Sequence, residues 1–368
     1  MNDKTKSILD QIIGQSKHLS WMKNGLCYLT VHGSHAYNTN VETSDWDYKG
    51  VCVPTLPYYI GSQHRFEQAE LKDPDTVIYE LRKFITLASN ANPNTLEILF
   101  TDPEDHLFVN EIGKTLLDHK ERFLSKRIRF SMGGYAHNQL KRIQLHRGYL
   151  LNKVLVPPSR KEMGLPEQTL IPQDQMMAVE ADIEKELNRY NFDFMEGLDD
   201  ATKIAIKEIM SQMLVELKIT AEDKWMASAR KVGLSDNFIE IMQKERAYKN
   251  LKSQYDKYQE WKKNRNPVRA AMEEKFGFDG KHGLHLIRLL RMCKEILETG
   301  KVIVKRPDKE ELIAIRNGFW SYDELIEQAD KLNAEIDVLY KSCSVLPHTP
   351  DFNFLDKLCV GLIQKCIM

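Results

Sequence analysis

One stretch limits what this chain can fold into more than any other. Residues 26–31 form an apolar run that leads into Gly33-Ser34, and after ten intervening residues, 35 to 44, the chain returns through Asp45-Trp46-Asp47 into a second apolar run. In a strand, successive side chains alternate between the two faces, so Asp45 and Asp47 are expected to project together while Trp46 turns into the core. Two adjacent carboxylates repel each other, and a divalent cation that bridges them to phosphate oxygens relieves the repulsion. Gly33 lets the backbone turn tightly and lets a ligand approach. The amides that follow it, with the Ser34 hydroxyl, could hold a triphosphate at the start of a short helix in 36–40.

The surrounding pattern supplies the frame. Residues 1–20 read as an entry helix with Ile8, Leu9, Ile12 and Ile13 on one face. Strands are expected over 26–31, 45–53, 64–71 and 75–79, the second ended by Pro54 and Pro57. From Glu80 the period becomes helical, with Leu81, Phe84, Ile85 and Ala88 on one side; Asn92-Pro93-Asn94 then breaks that helix and another starts at Thr95. Beyond this point everything reads as helix: 108–117, a basic stretch 122–147 interrupted by Gly133-Gly134, and an acid-rich stretch with Asp182, Glu184, Glu186, Asp193, Glu196, Asp199 and Asp200. Further on, a helix has Leu284, Ile287, Leu290 and Ile296 as its apolar side and stops at Gly300. A short extended piece follows at 302–304, and a long helix at 325–339. The expectation is therefore an α+β chain: a small mixed sheet with flanking helices over 1–105, then a helical region over 106–368 with a helical insertion at about 150–270.

Gly33-Ser34, a spacer and Asp45-Trp46-Asp47 in a strand together resemble the signature of the DNA polymerase beta-like nucleotidyltransferase superfamily. The longer context, Gly33-Ser34-His35-Ala36-Tyr37-Asn38 with Ser44 to Val51, is similar to its RNA-ligase-associated branch. Further blocks extend the likeness: Tyr79 to Phe84, Asn92 to Leu99, and Lys281 through His285 to Arg288. The middle of the chain lies outside it.

The resemblance implies a polymerase-beta-like core that transfers a nucleoside monophosphate from a nucleoside triphosphate to a hydroxyl acceptor, with release of pyrophosphate. RNA is a candidate acceptor. Two Mg2+ ions are implied, with Mn2+ able to replace them, and Asp45 and Asp47 would bridge both. A third carboxylate is expected on a neighbouring strand. Asp75 is the first choice; Glu80 is the second, because in an ideal strand it points the other way and sits where a helix cap is an equal reading. Gly33 and Ser34 would cradle the β and γ phosphates. Lys281, His285 and Arg288, spaced by four and three residues, partly share one helical surface, to which family position gives a nucleotide or substrate role. By residue type alone they are a basic helix face. From a different class, a catalytically silent nucleotide-binding regulatory or interaction protein would keep the cradle without turnover.

Composition narrows the alternatives. With 42% apolar and 29% charged residues the chain has the make-up of a soluble globular protein, and a net charge of −1 argues against coating nucleic acid by bulk electrostatics. Six scattered cysteines without a Cys-x-x-Cys pair point to reduced thiols and a cytoplasmic location, and no signal pattern or membrane-length apolar run is present. No membrane partner is expected, and no pattern sets an oligomeric state. His32 and His35 lack the company a zinc site needs. The 122–147 segment could hold an RNA backbone, and Tyr255, Tyr258 and Trp261 before Lys262, Lys263 and Arg265 could stack bases; for both, a solvated helix is the plainer reading. P-loop, nucleophile-elbow, His-Glu-x-x-His and dinucleotide fingerprints are absent.

Overall fold

A computed structural model describes residues 1–169, 171–188, 206, 209 and 220–367. Asp193, Glu196, Asp199 and Asp200 of the acid-rich stretch lie outside the described residues. The chain divides into two compact units, Met1–Leu151 with Asn266–Met368, and Asn152–Arg265.

The first unit is α+β. Its strands are β1 (Leu26–His32), β2 (Asp47–Cys52), β3 (Gln68–Lys72), β4 (Asp75–Glu80) and β5 (His106–Val109), in the order β3-β4-β2-β1-β5. β1 is buried at all seven residues, in keeping with its mostly apolar run, and Thr30 and His32 are buried with it. β1 and β2 are antiparallel, but β3 turns back into β4 at the outer edge, so β4 runs parallel to β2. The mixed sheet thereby brings the first residues of β2 and β4 side by side.

Both faces are covered. The helix Asp3–Gln15, capped by Asn2, sets Ile8, Leu9 and Ile12 against Leu29, Val31, Tyr48 and Ile78. On the other face, Leu81, Phe84, Leu96 and Leu99 share a core with Leu284, Ile287 and Leu290 of the helix Gly280–Thr299. Sequence-distant segments close one core, and truncating any of these leucines to alanine would cost about 2–5 kcal/mol.

Several expectations are corrected. The segment 108–117 is not one helix: His106–Val109 pairs with β1 and carries the sheet past residue 105, and Asn110 then caps the helix Glu111–Asp118. Four apolar-rich residues are too few to reveal whether they are a strand or a first helical turn. The helix Ile128–Leu151 runs through Gly133-Gly134 without a break. The one-turn helix after β1 is Gly33–Ala36, starting at the Gly-Ser pair itself. β2 starts at Asp47, so Asp45 and Trp46 precede it and alternation does not govern them. Trp46 is 49% exposed and stacks on His35 with ring centroids 3.8 Å apart, so it is not a core residue.

The second unit is helical, with Gln173–Asn188, Ala221–Lys231 and Asp236–Asn264 around Ile183, Trp225, Ile239 and Met242. Tyr258 is buried and packs on Trp261, over which Arg265 lies at 4.4 Å, so these aromatics turn to one another. All six cysteines are free thiols. Among the described residues no helix is long and apolar enough to cross a membrane.

Candidate active site

Asp47 opens β2, where its register partners are His32 at the end of β1 and Asp75 at the start of β4. Two carboxylates therefore stand on adjacent parallel strands at one end of the sheet. Immediately after β1 the chain must turn under them. Gly33 has φ +64°, and a Cβ there would lie 1.8 Å from Asp47 Oδ2, so backbone conformation and the carboxylate both demand glycine. The turn Gly33–Ala36 leaves its first amides without partners inside the helix, and Gly33 and Ser34 lie beside the carboxylates.

These groups border a cavity of about 310 Å3. One wall is carboxylate-rich, with Asp45, Asp47 and Asp75 beside Gly33 and Ser34. Helices of the same unit contribute Lys281, His285, Arg269 and Arg316 to its lining. Of the residues expected to act together, Asp45, Asp47, Asp75, Gly33, Ser34, Lys281 and His285 all line this one cavity.

The electrostatics follow from that crowding. Burial, and then the neighbouring charge of Asp75, push the Asp47 carboxyl above its ordinary value; Lys49 and Lys281 pull the other way, and Asp45 adds to the rise. Lys49, on the Asp47 face of β2, reaches Asp75 Oδ1 at 3.3 Å. Burial, and then Arg269 and Arg316, lower Lys281. Burial, and then Arg288 and Lys281, hold His285 well below 6.5, so its imidazole is neutral. His32 is pushed down to about 4, chiefly by burial, against the opposing pull of Glu97.

Two expected residues lie elsewhere. Glu80 is 3% exposed and caps the helix Leu81–Ser89 by accepting from Lys83 N, while also accepting from Tyr59 Oη and Arg82 Nε. Its carboxylate is used up as a cap, on the face opposite Asp75. Arg288 is not on the cavity wall: it is 4% exposed and donates from Nη1 to Glu97 Oε1 at 2.6 Å, with its guanidinium 3.8 Å from the Tyr37 ring centroid. It shares a helical face with Lys281 and His285 but lies about one turn further along the axis, where Glu97 and Tyr37 cover it.

Glu97, Tyr37 and Lys49 were not picked out by the sequence reading. Glu97 is fully buried, accepts from Arg288 and from the Tyr37 hydroxyl, and lies 3.7 Å from His32 Nε2. The network joins β1, the turn after it, the helix Pro93–Leu99 and the helix Gly280–Thr299. It fixes the floor of the cavity. A charged residue on the apolar side of a short helix is the only local trace of it.

Among the described residues, no group of three or more His, Cys, Asp or Glu side chains is gathered tightly enough to hold a metal ion. The donors nevertheless suit a hard cation: carboxylates, that of Asp47 raised by burial and then by the charge of Asp75. Mg2+ is commonly held by one or two carboxylates together with substrate phosphates and water, not by an all-protein cage.

No curated protein and no solved structure matches the chain. Residues 1–153, which carry Gly33, Asp45, Asp47, Asp75 and Glu97, match the model of the RNA repair pathway DNA polymerase beta family (RlaP), the branch that the Gly33-Ser34 and Asp45-Trp46-Asp47 blocks resemble.

Proposed function

We propose that this protein is a metal-dependent nucleotidyltransferase that moves a nucleoside monophosphate from a nucleoside triphosphate to a hydroxyl of an RNA acceptor, releasing pyrophosphate. The observation that carries this reading is the side-by-side register of Asp47 and Asp75 above the Gly33 turn. The match of residues 1–153 to a polymerase beta-like family of an RNA repair pathway supports it and suggests the acceptor class.

In this reading Asp45, Asp47 and Asp75 hold Mg2+, which Mn2+ can replace. Bound there, the ions would neutralise phosphate charge and lower the pKa of the attacking hydroxyl. The chain's own residues do the rest. The amides after Gly33 and the Ser34 hydroxyl orient the β and γ phosphates, and Gly33 keeps that path open beside Asp47. Lys281 faces the carboxylates across the cavity, where its charge favours a phosphate between them. Neutral His285 donates or accepts one hydrogen bond without adding charge. Arg288 binds no nucleotide in this scheme; it positions the floor through Glu97. Glu80 is left out of the metal set.

The test is transfer of label from each α-labelled nucleoside triphosphate to RNA in the presence of Mg2+, with Asp47→Asn as control. Label on RNA that disappears in the variant is the expected result. Nucleotide binding with no transfer to RNA, protein or small hydroxyl acceptors would overturn it in favour of a silent regulator.

A further inference from the structure

Arg269 and Arg316 line the cavity on its cationic wall, and among the described residues neither guanidinium has a hydrogen-bond or ion-pair partner. Arg129, Arg288, Arg291 and Arg306 of the same unit, by contrast, reach carboxylates. The two repel each other and Lys281: burial and then Arg269 lower Arg316, and burial and then both arginines lower Lys281, with Asp279 offsetting part of the repulsion at both and Asp47 at Lys281. Protein that crowds unpaired cations lacks an anion there.

An exposed aromatic ring follows Arg316 closely in the chain. Phe319 is 77% exposed, three residues beyond Arg316. It is nevertheless held in place. Its amide donates to Ala314 O at 3.0 Å, and the preceding Gly318, at φ +81°, packs so tightly that a Cβ would lie 2.3 Å from the Phe276 ring. Phe276 belongs to the helix Pro267–Phe276 that also carries Arg269. These residues are joined through one contact: Arg269 and Phe276 share a helix, and Phe276 packs on Gly318 in the turn that follows the helix Lys309–Arg316 and leads to Phe319.

We propose that this rim, Arg269, Arg316 and Phe319, is the entry path for the single-stranded end of the RNA acceptor, the arginines holding backbone phosphates and Phe319 stacking a base. The proposal rests on the nucleotidyltransferase reading and names the acceptor surface of that site. Charge complementarity selects the wall, because a polyanion arriving on the opposite side would meet Asp45, Asp47 and Asp75. Single-strand binding combines cations with an aromatic platform, and the exposed Phe319 ring supplies one close in the chain to Arg316. The overall charge of −1 requires such a surface to be local.

The experiment measures fluorescence anisotropy of a short labelled oligoribonucleotide with the full chain, alongside calorimetric titration with ATP and Mg2+. Arg269→Gln, Arg316→Gln and Phe319→Ala should each weaken RNA binding by about fivefold or more. The arginine variants should also flatten its salt dependence, and Phe319→Ala should leave the slope as it is. Phe130→Ala, an equally exposed phenylalanine away from the rim, should match wild type in RNA affinity. Circular dichroism checks that each variant folds. Undiminished RNA affinity with weakened ATP binding would assign the arginines to the triphosphate and overturn the proposal, as would a wild-type chain that binds RNA no better than the triple variant. RNA binding that depends on all three residues, in a chain that transfers no nucleotide, would uphold the surface while the transferase reading falls.

Discussion

Two ion pairs in the first unit are built on opposite terms. Arg288 and Glu97 are 4% and 0% exposed, sealed with Tyr37 beneath the cavity. Lys49 and Asp75 meet at 3.3 Å on its edge, where the Asp75 side chain is 55% exposed. The buried pair cannot exchange partners without leaving a charge in the core. The edge pair can, because water and incoming ligand compete for it. The scaffold charges Arg288 and Glu97 are paired with each other inside the protein, whereas Asp47, Lys281, Arg269 and Arg316, which line the cavity, make no ion pair among the described residues.

The comparison is broken most severely at its open side. Asp47→Asn should lower nucleotide transfer by about a thousandfold or more, the scale on which removal of a central charge-stabilising group acts. It should leave the fold intact or firmer. Because the Asp47 carboxyl is raised, its contribution to stability is present below the ordinary carboxylate range and is lost as pH rises through the raised value. At neutral pH the charged form is a burden on the fold, so the variant should melt no lower than wild type. A melting curve beside a transfer assay separates the two effects, and a large drop in melting temperature would show that Asp47 is structural.

On the closed side, Glu97→Gln should destabilise the fold by about 3–5 kcal/mol, since it strands Arg288 in the core. Pairing it with Arg288→Met should recover a good part of that loss. Urea denaturation of the two single variants and the double supplies the cycle; simple additivity would mean that the pair is not coupled.

How much of this was legible in the sequence divides along the same line. Gly33, Asp47 and Asp75 are local: a glycine before a turn and carboxylates at strand starts announce themselves, and adjacency of β2 and β4 follows from a hairpin at the sheet edge. Asp45 was found for a reason that does not hold, since it precedes the strand, and the same alternation misplaced Trp46. Glu97 and Arg288 were invisible as a pair because 191 residues separate them. Arg288 looked like a third member of the Lys281 and His285 face until packing showed which way it turns. Arg269 sat within the stretch read as an insertion, and Arg316 in a helix with no motif.

Protonation sharpens the contrast further. His32 is held neutral, with its value moved from 6.5 down to about 4, mainly by burial. The unfolded chain therefore binds a proton that the fold refuses between those values, and stability should fall as pH drops from 6.5 through 4. His285, also lowered by burial, acts in the same direction. His32→Gln should flatten the acid limb of a pH–melting profile. An unchanged limb would assign the acid sensitivity to His285 and the carboxylates.

The smallest stability effect belongs to the edge pair, and there function should respond more than folding does. Lys49→Met removes an ion pair whose carboxylate partner is half in solvent, so the cost should be no more than about 1 kcal/mol. Lys49 is also the first of the charges that draw the Asp47 carboxyl downward, against burial and Asp75. Without it that carboxyl rises further, and a larger fraction of the protein is protonated at Asp47 on the acid side of the rate profile. The acid limb of transfer activity should therefore move to higher pH, with the maximal rate reached only under more alkaline conditions. A pH–rate profile measured at saturating nucleotide checks this; an unmoved limb, with stability also unchanged, would mean that Asp47 does not set the acid limb at all.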